Sequence, residues 1–244
     1  MTNSLLLYGT RSIIEAIQAG KNIDKVFIQK GVQNKLTTQL IAIIHKNGIS
    51  ISFVPIEKLN KLTQKNHQGA VAYITPISFI SHETLIDQLV NTNKPALLVL
   101  LDQVSDTRNF GAIIRTANCT GVHGIIIPNN GAAPVNGDTI KTSAGALFEV
   151  PICKVAHLKD AIYYLQANDI QIIAASEKSK TSLYDIDFKK PTALVMGSEG
   201  RGVSPGILKI VDQQARLPIQ GSIASLNVSV ACGAFLYEII RQRL

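Results

Sequence analysis

The stretch ALLVLLDQVSDTRNFGAIIRTAN, residues 96 to 118, decides the fold class. It opens on a continuous apolar run, Ala96 to Leu101, instead of the alternation expected of a half-solvated strand. A run of that kind marks a strand buried on both faces, as inside a parallel sheet covered by helices. Polar residues follow, with Asn109 where a helix N-cap belongs, and then Ile113, Ile114 and Ala117 recur at helical spacing. Strand, polar turn and helix in that order form half of a βαβ unit.

Similar runs recur downstream: HGIIIP at 123 to 128, VPICKV at 150 to 155, IQIIAAS at 170 to 176, TALVMG at 192 to 197 and ARLPI at 215 to 219. Helical patterns separate most of them. Residues 95 to 244 are therefore expected to form an α/β domain, a mostly parallel sheet with helices on both faces. Upstream, residues 1 to 75 alternate helix (9 to 19, 33 to 46, 56 to 64) with strand (24 to 29, 50 to 54, 69 to 75), punctuated at Gly20, Gly31, Gly48 and Pro55. That reads as a small α/β unit. Between the two, residues 76 to 94 weaken into polar sequence around a short helix, HETLIDQLV, and are expected to be a linker.

Charge is unevenly shared. Residues 1 to 94 carry ten basic and five acidic side chains, whereas residues 95 to 244 carry fourteen and twelve, so most of the net +7 sits in the first segment. A polyanionic partner on that side fits this balance. Cys119, Cys153 and Cys232 are far apart, with no C-x-x-C pair and no H-E-x-x-H helix, which fits free thiols in a reducing compartment and argues against a structural zinc site. No apolar stretch approaches the ~20 residues of a membrane helix, and MTNSLLLYG has no charged leader, so an intracellular, cytoplasmic protein without a membrane partner is expected.

Three segments carry residues suited to chemistry. In SDTRNFGAIIRTAN, residues 105 to 118, helical spacing aligns Arg108, Gly111, Arg115 and Asn118 on one face, and a glycine beside two arginines leaves room for a phosphate or ribose. Singly, Asn109 could be only a cap and Arg115 only a side chain reaching for water. In LVMGSEGRGVSP, residues 194 to 205, a strand runs into a loop holding Gly197, Glu199, Gly200 and Gly202, and Ser204-Pro205 then makes a good N-cap and N1 pair. The spacing G-x-x-G-x-G is not the dinucleotide fingerprint, and no phosphate-binding P-loop occurs, which sets aside both of those enzyme classes. Glu199 by itself could be a solvated loop charge. In LPIQGSIASLNVSVACGAFLYEIIRQ, residues 217 to 242, a short strand and a Gly-Ser loop precede a long helix. Ser229 and Gly233 fit helix packing, while Ser225 and Asn227 compete for one N-cap.

Together these three segments, in this order, resemble the signature motifs of the SpoU (TrmH-like) RNA 2′-O-ribose methyltransferases of the SPOUT superfamily, through NFGAIIRTA, MGSEGRG and SLNVSVA. The resemblance covers about residues 95 to 244. Tyr8-Gly9 and His67 to Gly69 further resemble the ribosomal-protein-like RNA-binding domain of the bacterial members that methylate a guanosine in 23S ribosomal RNA. The resemblance implies a trefoil-knotted α/β domain, S-adenosylmethionine as cofactor, no metal, RNA as partner and a homodimer in which one subunit's arginine acts beside the other's cofactor. It also implies cofactor contacts around Gly197, Leu217, Ile219 and Leu226, and a catalytic set of Arg115, Asn109, Glu199, Ser225 and Asn227. A guanidinium holds its protons too tightly to serve as general base, so Arg115 is expected to stabilise the developing alkoxide while the other four orient it, the cofactor loop and the ribose. Two rival readings are a transfer RNA methyltransferase and a non-catalytic RNA-binding protein of the same fold.

Overall fold

The computed structural model describes residues 6 to 244 except 33, 75, 76, 91, 93 and 224, and divides into two compact units. The first holds the chain up to Ser78 with Pro134–Thr139; the second holds Phe79–Ala133 with Ile140–Leu244. The expected helix start at 33, the strand end at 75 and linker positions 76, 91 and 93 lie outside the described residues.

In the first unit the elements run β1 (Leu6–Tyr8), α1 (Thr10–Gln18), β2 (Ile23–Gln29), α2 (Lys35–Lys46), β3 (Ser50–Val54), α3 (Ile56–Leu62) and β4 (Ala70–Ile74). The sheet order is β1-β4-β2-β3, with β2 parallel to β3 and β4 antiparallel to both β1 and β2. Strand alternation splits the apolar residues between its faces. Val26, Ile28, Ala70 and Ala72 pack with Ile13 and Ile14 of α1 and Leu40 and Ile44 of α2. Phe27, Val54 and Val71 meet Leu59 of the short α3 on the other face. Asn34 caps α2, its Oδ1 accepting from Thr37 N at 2.8 Å. Strand β1, only three residues long, has too little sequence to show a period.

The second unit begins with α4 (His82–Val90) and β5 (Leu97–Asp102), followed by α5 (Thr107–Cys119), β6 (Gly124–Pro128), α6 (Gly137–Thr142, whose residues up to Thr139 belong to the first unit), β7 (Ile152–Val155), α7 (Leu158–Ala167), β8 (Gln171–Ala175), β9 (Thr192–Gly197), α8 (Pro205–Leu208), β10 (Gln213–Ala215) and α9 (Val228–Arg243). The sheet order is β10-β8-β9-β5-β6-β7, parallel at every pairing. All six residues of β5 are buried, as a central strand covered on both sides requires. Leu98, Leu100, Ala193 and Val195 face α4 and α7, whereas α5 packs on α9, which in turn meets β9.

The stretch expected to be a linker is partly core. Leu85, Ile86 and Leu89 of α4 are buried, and Leu85 sits so close over Gly124 of β6 that a Cβ there would overlap its Cδ2. The last expected strand is shorter than ARLPI: β10 ends at Ala215, and residues 216 to 219 leave the sheet. Pro218 has no N–H to offer a ladder. Two of the three cysteines, Cys153 and Cys232, are buried, and burial pushes both thiols up to about 12, which leaves them unreactive.

The chain's end is anchored at the opposite, amino-terminal edge of the sheet. Arg243 donates to the carbonyls of Phe188 (2.8 Å), Pro95 (3.0 Å), Ala96 (3.2 Å) and Lys190 (2.7 Å). Gln242 bonds Phe188 N and Ile186 O, and the buried Glu238 accepts from both Arg241 and Gln242.

Candidate active site

A cavity of about 470 Å3 opens at the carboxyl ends of β8, β9 and β10. In a doubly wound sheet that is where a ligand is expected, because loops diverge there and leave a crevice. Its wall comes from Ser176 and Glu177 after β8, Gly197 to Gly200 and Gly202 after β9, Arg216, Leu217 and Ile219 after β10, and Ser225 to Val228 leading into α9. Met196, Ala231 and Phe235 close the back. All four residues expected to hold the cofactor, Gly197, Leu217, Ile219 and Leu226, line this one cavity.

The β9 loop is held from both ends. Gly202 N donates to Ser198 O at 2.8 Å and Ser204 N to Asp102 Oδ2 at 2.7 Å. Gly197 is required by this fold-back, since a Cβ would run into the backbone of Gly202 and Val203. Gly200 and Gly202 take φ of 81° and 68°, the left-handed region that glycine enters freely. Three glycines that look like a ligand's approach path thus serve first to shape the loop that presents Glu199.

Glu199 forms one corner of a hydrogen-bonded triangle. Its Oε1 accepts from Asn109 Nδ2 at 3.1 Å and from Asn227 Nδ2 at 2.6 Å, and Asn227 Nδ2 also reaches Asn109 Oδ1 at 2.9 Å. The other end of Asn227 caps α9, with Oδ1 accepting from Ser229 N at 2.9 Å and Ser229 Oγ at 2.6 Å. Asn109 is not the cap of α5. Asp106 fills that position, accepting from Asn109 N at 2.8 Å, which leaves the Asn109 amide for the triangle. Ser225 lines the cavity one residue before Leu226.

Arg115 stands apart. It is exposed on α5, two turns beyond Asn109, and does not line the cavity. The space expected beside it at Gly111 is filled: a Cβ there would meet Thr142 Cβ at 2.6 Å and Ser143 N at 3.1 Å. Gly111 therefore lets the end of α6 pack against α5, and no ligand enters at that point. Gly233 of α9 faces Thr116 of α5, as its reading as a packing residue has it. Ser176, Glu177 and Phe235 were missed; for the first two the available signal was their place at the carboxyl end of a buried parallel strand.

The lining suits S-adenosylmethionine. Leu217, Ile219, Leu226, Met196 and Phe235 offer apolar surface to a purine, Glu177 offers a carboxylate, and the volume falls in the range of small-molecule sites. Among the described residues, no group of three or more His, Cys, Asp or Glu side chains is placed to hold a metal ion.

Comparison with known proteins agrees with this geometry. Residues 96–237 match the family model described as the SpoU rRNA Methylase family, and residues 6–80 match that of RNA 2′-O ribose methyltransferase substrate binding. The chain is 33% identical over 238 residues to the 23S rRNA (guanosine-2′-O-)-methyltransferase RlmB of Coxiella burnetii, covering 97% of this chain and 95% of that one. It is 30% identical over 235 residues to the putative TrmH family tRNA/rRNA methyltransferase YacO of Bacillus subtilis, covering 96% and 94%. Among solved structures, the AdoMet-bound rRNA methyltransferase from Sinorhizobium meliloti superposes with a TM-score of 0.62 at 27% identity, over 98% of this chain and 87% of that one. The TrmH/SpoU tRNA modifying enzyme of A. aeolicus gives 0.57 at 33% identity, over 66% of this chain and 84% of that one. The parallel sheet with its cavity at the β8, β9 and β10 ends is thus that of a SPOUT methyltransferase. The chain belongs to the SpoU rRNA Methylase family, whose members are S-adenosylmethionine-dependent RNA methyltransferases.

Proposed function

We propose that this protein methylates the ribose 2′-hydroxyl of a guanosine in 23S ribosomal RNA, acting in the cytoplasm as a homodimer. The observation that carries the reading is that Glu199, Ser225 and Asn227 line a single cavity whose wall also includes Gly197, Leu217, Ile219 and Leu226, with Asn109 hydrogen-bonded to Glu199 and Asn227 from α5. When bound, S-adenosylmethionine supplies an electrophilic methyl group on sulfonium. Leu217, Ile219 and Leu226, which line the cavity, would hold its adenosine. The triangle fixes the Glu199 loop and the start of α9, so the cavity is shaped before substrate arrives and little order must be created on binding. Arg115 grips the RNA beside the reacting ribose and stabilises the alkoxide character that develops on the 2′-oxygen, an electrostatic role worth roughly 3 kcal/mol or more in a site closed to water.

Arg115 lies outside its own chain's cavity, which supports its acting at the cavity of a second copy. Val230 and Tyr237, 56% and 59% exposed and two turns apart on α9, give that copy an apolar surface to cover. The residues up to about 75 serve as the RNA-binding domain and residues 95 to 244 as the methyltransferase domain. Ribosomal RNA is favoured over transfer RNA because the Coxiella RlmB matches nearly the whole chain, whereas the A. aeolicus tRNA enzyme matches 66% of it. No described helix is long and apolar enough to cross a membrane. Mapping of ribose methylation across total RNA from cells with and without the gene tests the reading: loss of one 2′-O-methylguanosine in 23S RNA is expected, and loss from transfer RNA instead overturns the ribosomal assignment.

A further inference from the structure

The sheet of the first unit has one face that its helices cover only in part. Register places Lys25 of β2 opposite Tyr73 of β4 and Leu6 of β1, and in the next row Phe27 opposite Val71 and Tyr8. The short α3 seals this face with Leu59, leaving Lys25, Tyr8 and Tyr73 half-buried. Two lysine ammonium groups converge on one ring there: Lys25 Nζ lies 5.5 Å and Lys58 Nζ 5.6 Å from the Phe27 centroid. They are thus at most about 11 Å apart. A third, Lys65 Nζ, lies 5.3 Å from the Tyr8 centroid, and Tyr73 packs edge-on against Phe27 at 5.8 Å.

Lysines scattered only for solubility are free to point apart. Here three ammonium groups from β2, α3 and the loop after α3 are drawn to one aromatic surface, where ring contacts restrain them. Three positive groups along one surface suit a polyanion, and a run of phosphates is an anion that can reach all three. Half-exposed tyrosines beside phosphate-binding lysines are also what an unpaired nucleotide stacks on. On the opposite face α1 and α2 cover the sheet, and Lys21, Lys35 and Lys46 are exposed in and after those helices.

We infer that the α3 face of this sheet, through Lys25, Lys58 and Lys65, is the surface that holds the sugar-phosphate backbone of the substrate RNA. The inference rests on the reading of the first unit as the RNA-binding domain. The test uses the full chain and a 23S ribosomal RNA transcript, with the slope of log affinity against log salt as readout. Changing Lys25, Lys58 and Lys65 together to Gln should flatten the slope by about two to three, one phosphate contact per lysine. Changing the three to Arg should keep it. A control with Lys21, Lys35 and Lys46 changed to Gln removes the same charge from the other side and should flatten it by less than about one. An unchanged circular dichroism spectrum and melting profile check that each variant is folded. If the control flattens the slope and the α3-face variant does not, this face is wrong while the first unit remains the RNA-binding domain. If neither changes it, the face and the domain reading both fall.

Discussion

Asn227 does two things with the two ends of one amide, and Asn227→Asp separates them. The oxygen caps α9 through Ser229 N, a job an aspartate oxygen does equally well. The nitrogen donates to Glu199 Oε1 at 2.6 Å and to Asn109 Oδ1 at 2.9 Å, and aspartate turns that donor into a second acceptor. Loss of the bond to the Glu199 carboxylate costs about 1 kcal/mol at an exposed position. Two carboxylates about 4 Å apart repel by about 1 kcal/mol in a largely aqueous setting, and by more where water is excluded. Together these make about 2 kcal/mol, which falls on the Glu199 loop and therefore on the cavity. Calorimetric titration should show S-adenosylmethionine affinity reduced about 30-fold. Asn227→Ala loses the same bond without the repulsion, so about 1 kcal/mol falls on the cavity and binding should weaken only about 5-fold, while the cap it removes, worth ~1 kcal/mol, is a cost to α9 that the Asp variant avoids. Wild-type cofactor affinity in Asn227→Asp would show that the triangle does not shape the site.

Arg115→Ala should bind S-adenosylmethionine normally while turnover falls by roughly 100-fold, with little rescue by Lys, which lacks the planar fork. If Arg115 acts in the partner's cavity, mixing Arg115→Ala with Asn227→Asp, at S-adenosylmethionine too dilute to load the weakened cavity, should restore about a quarter of wild-type activity, since half the dimers then hold one complete site. Arg243→Met leaves the Phe188, Pro95 and Lys190 carbonyls without that donor and should lower stability by roughly 3 kcal/mol, seen as a melting temperature reduced by about 6 to 12 °C in calorimetry. Burial holds the His123 imidazole below its ordinary value of 6.5, and positive Arg243 and Lys94 add to the effect. The unfolded chain then takes up that proton first, so stability is complete above about pH 6.5 and is lost as pH falls below it toward the folded value. His123→Gln should reduce the fall in melting temperature between pH 7.5 and about pH 5.5; an identical fall removes His123 as its source.

The sheet was legible because its strands are buried on both faces and read as unbroken apolar runs, down to TALVMG, whose six residues are all buried. What failed was local. ARLPI looked like one more such run, yet Arg216 pairs through its backbone with Thr181 and Leu183 outside the sheet ladder, and Pro218 cannot join one. HETLIDQLV read as linker because α4 has only one buried stripe and polar residues beyond it. Gly111 invited a ligand on paper, but its partner is Thr142, thirty-one positions on, and helical spacing carries no word of what a chain packs against. The trefoil knot that the resemblance implies is beyond periodicity altogether, since a thread through a loop leaves local pattern unchanged.

The triangle shows the same limit and supplies its own test. Asn109, Glu199 and Asn227 lie 90 and 118 positions apart along the chain, and they meet because β9 inserts beside β5 in the sheet. Read one at a time, each had a sufficient local role: cap, solvated charge, cap. The Asn109 cap is not made, whereas Glu199 is indeed exposed and Asn227 does cap, each alongside its long-range bonds. Position separates the two kinds of role at α5, where Asp106 caps and Asn109 does not. Asp106→Ala should therefore cost ~1 kcal/mol of stability, or about 2 to 4 °C in melting temperature, as a lost cap does. Asn109→Ala should leave the melting temperature nearly unchanged, since the helix gains a better former as the exposed bond is lost, yet weaken cofactor binding by releasing one corner of the triangle. Thermal melts and cofactor titrations on the two single variants decide the matter. If Asn109→Ala is the destabilised one and binds cofactor normally, then Asn109 is a cap after all and the site begins at Glu199.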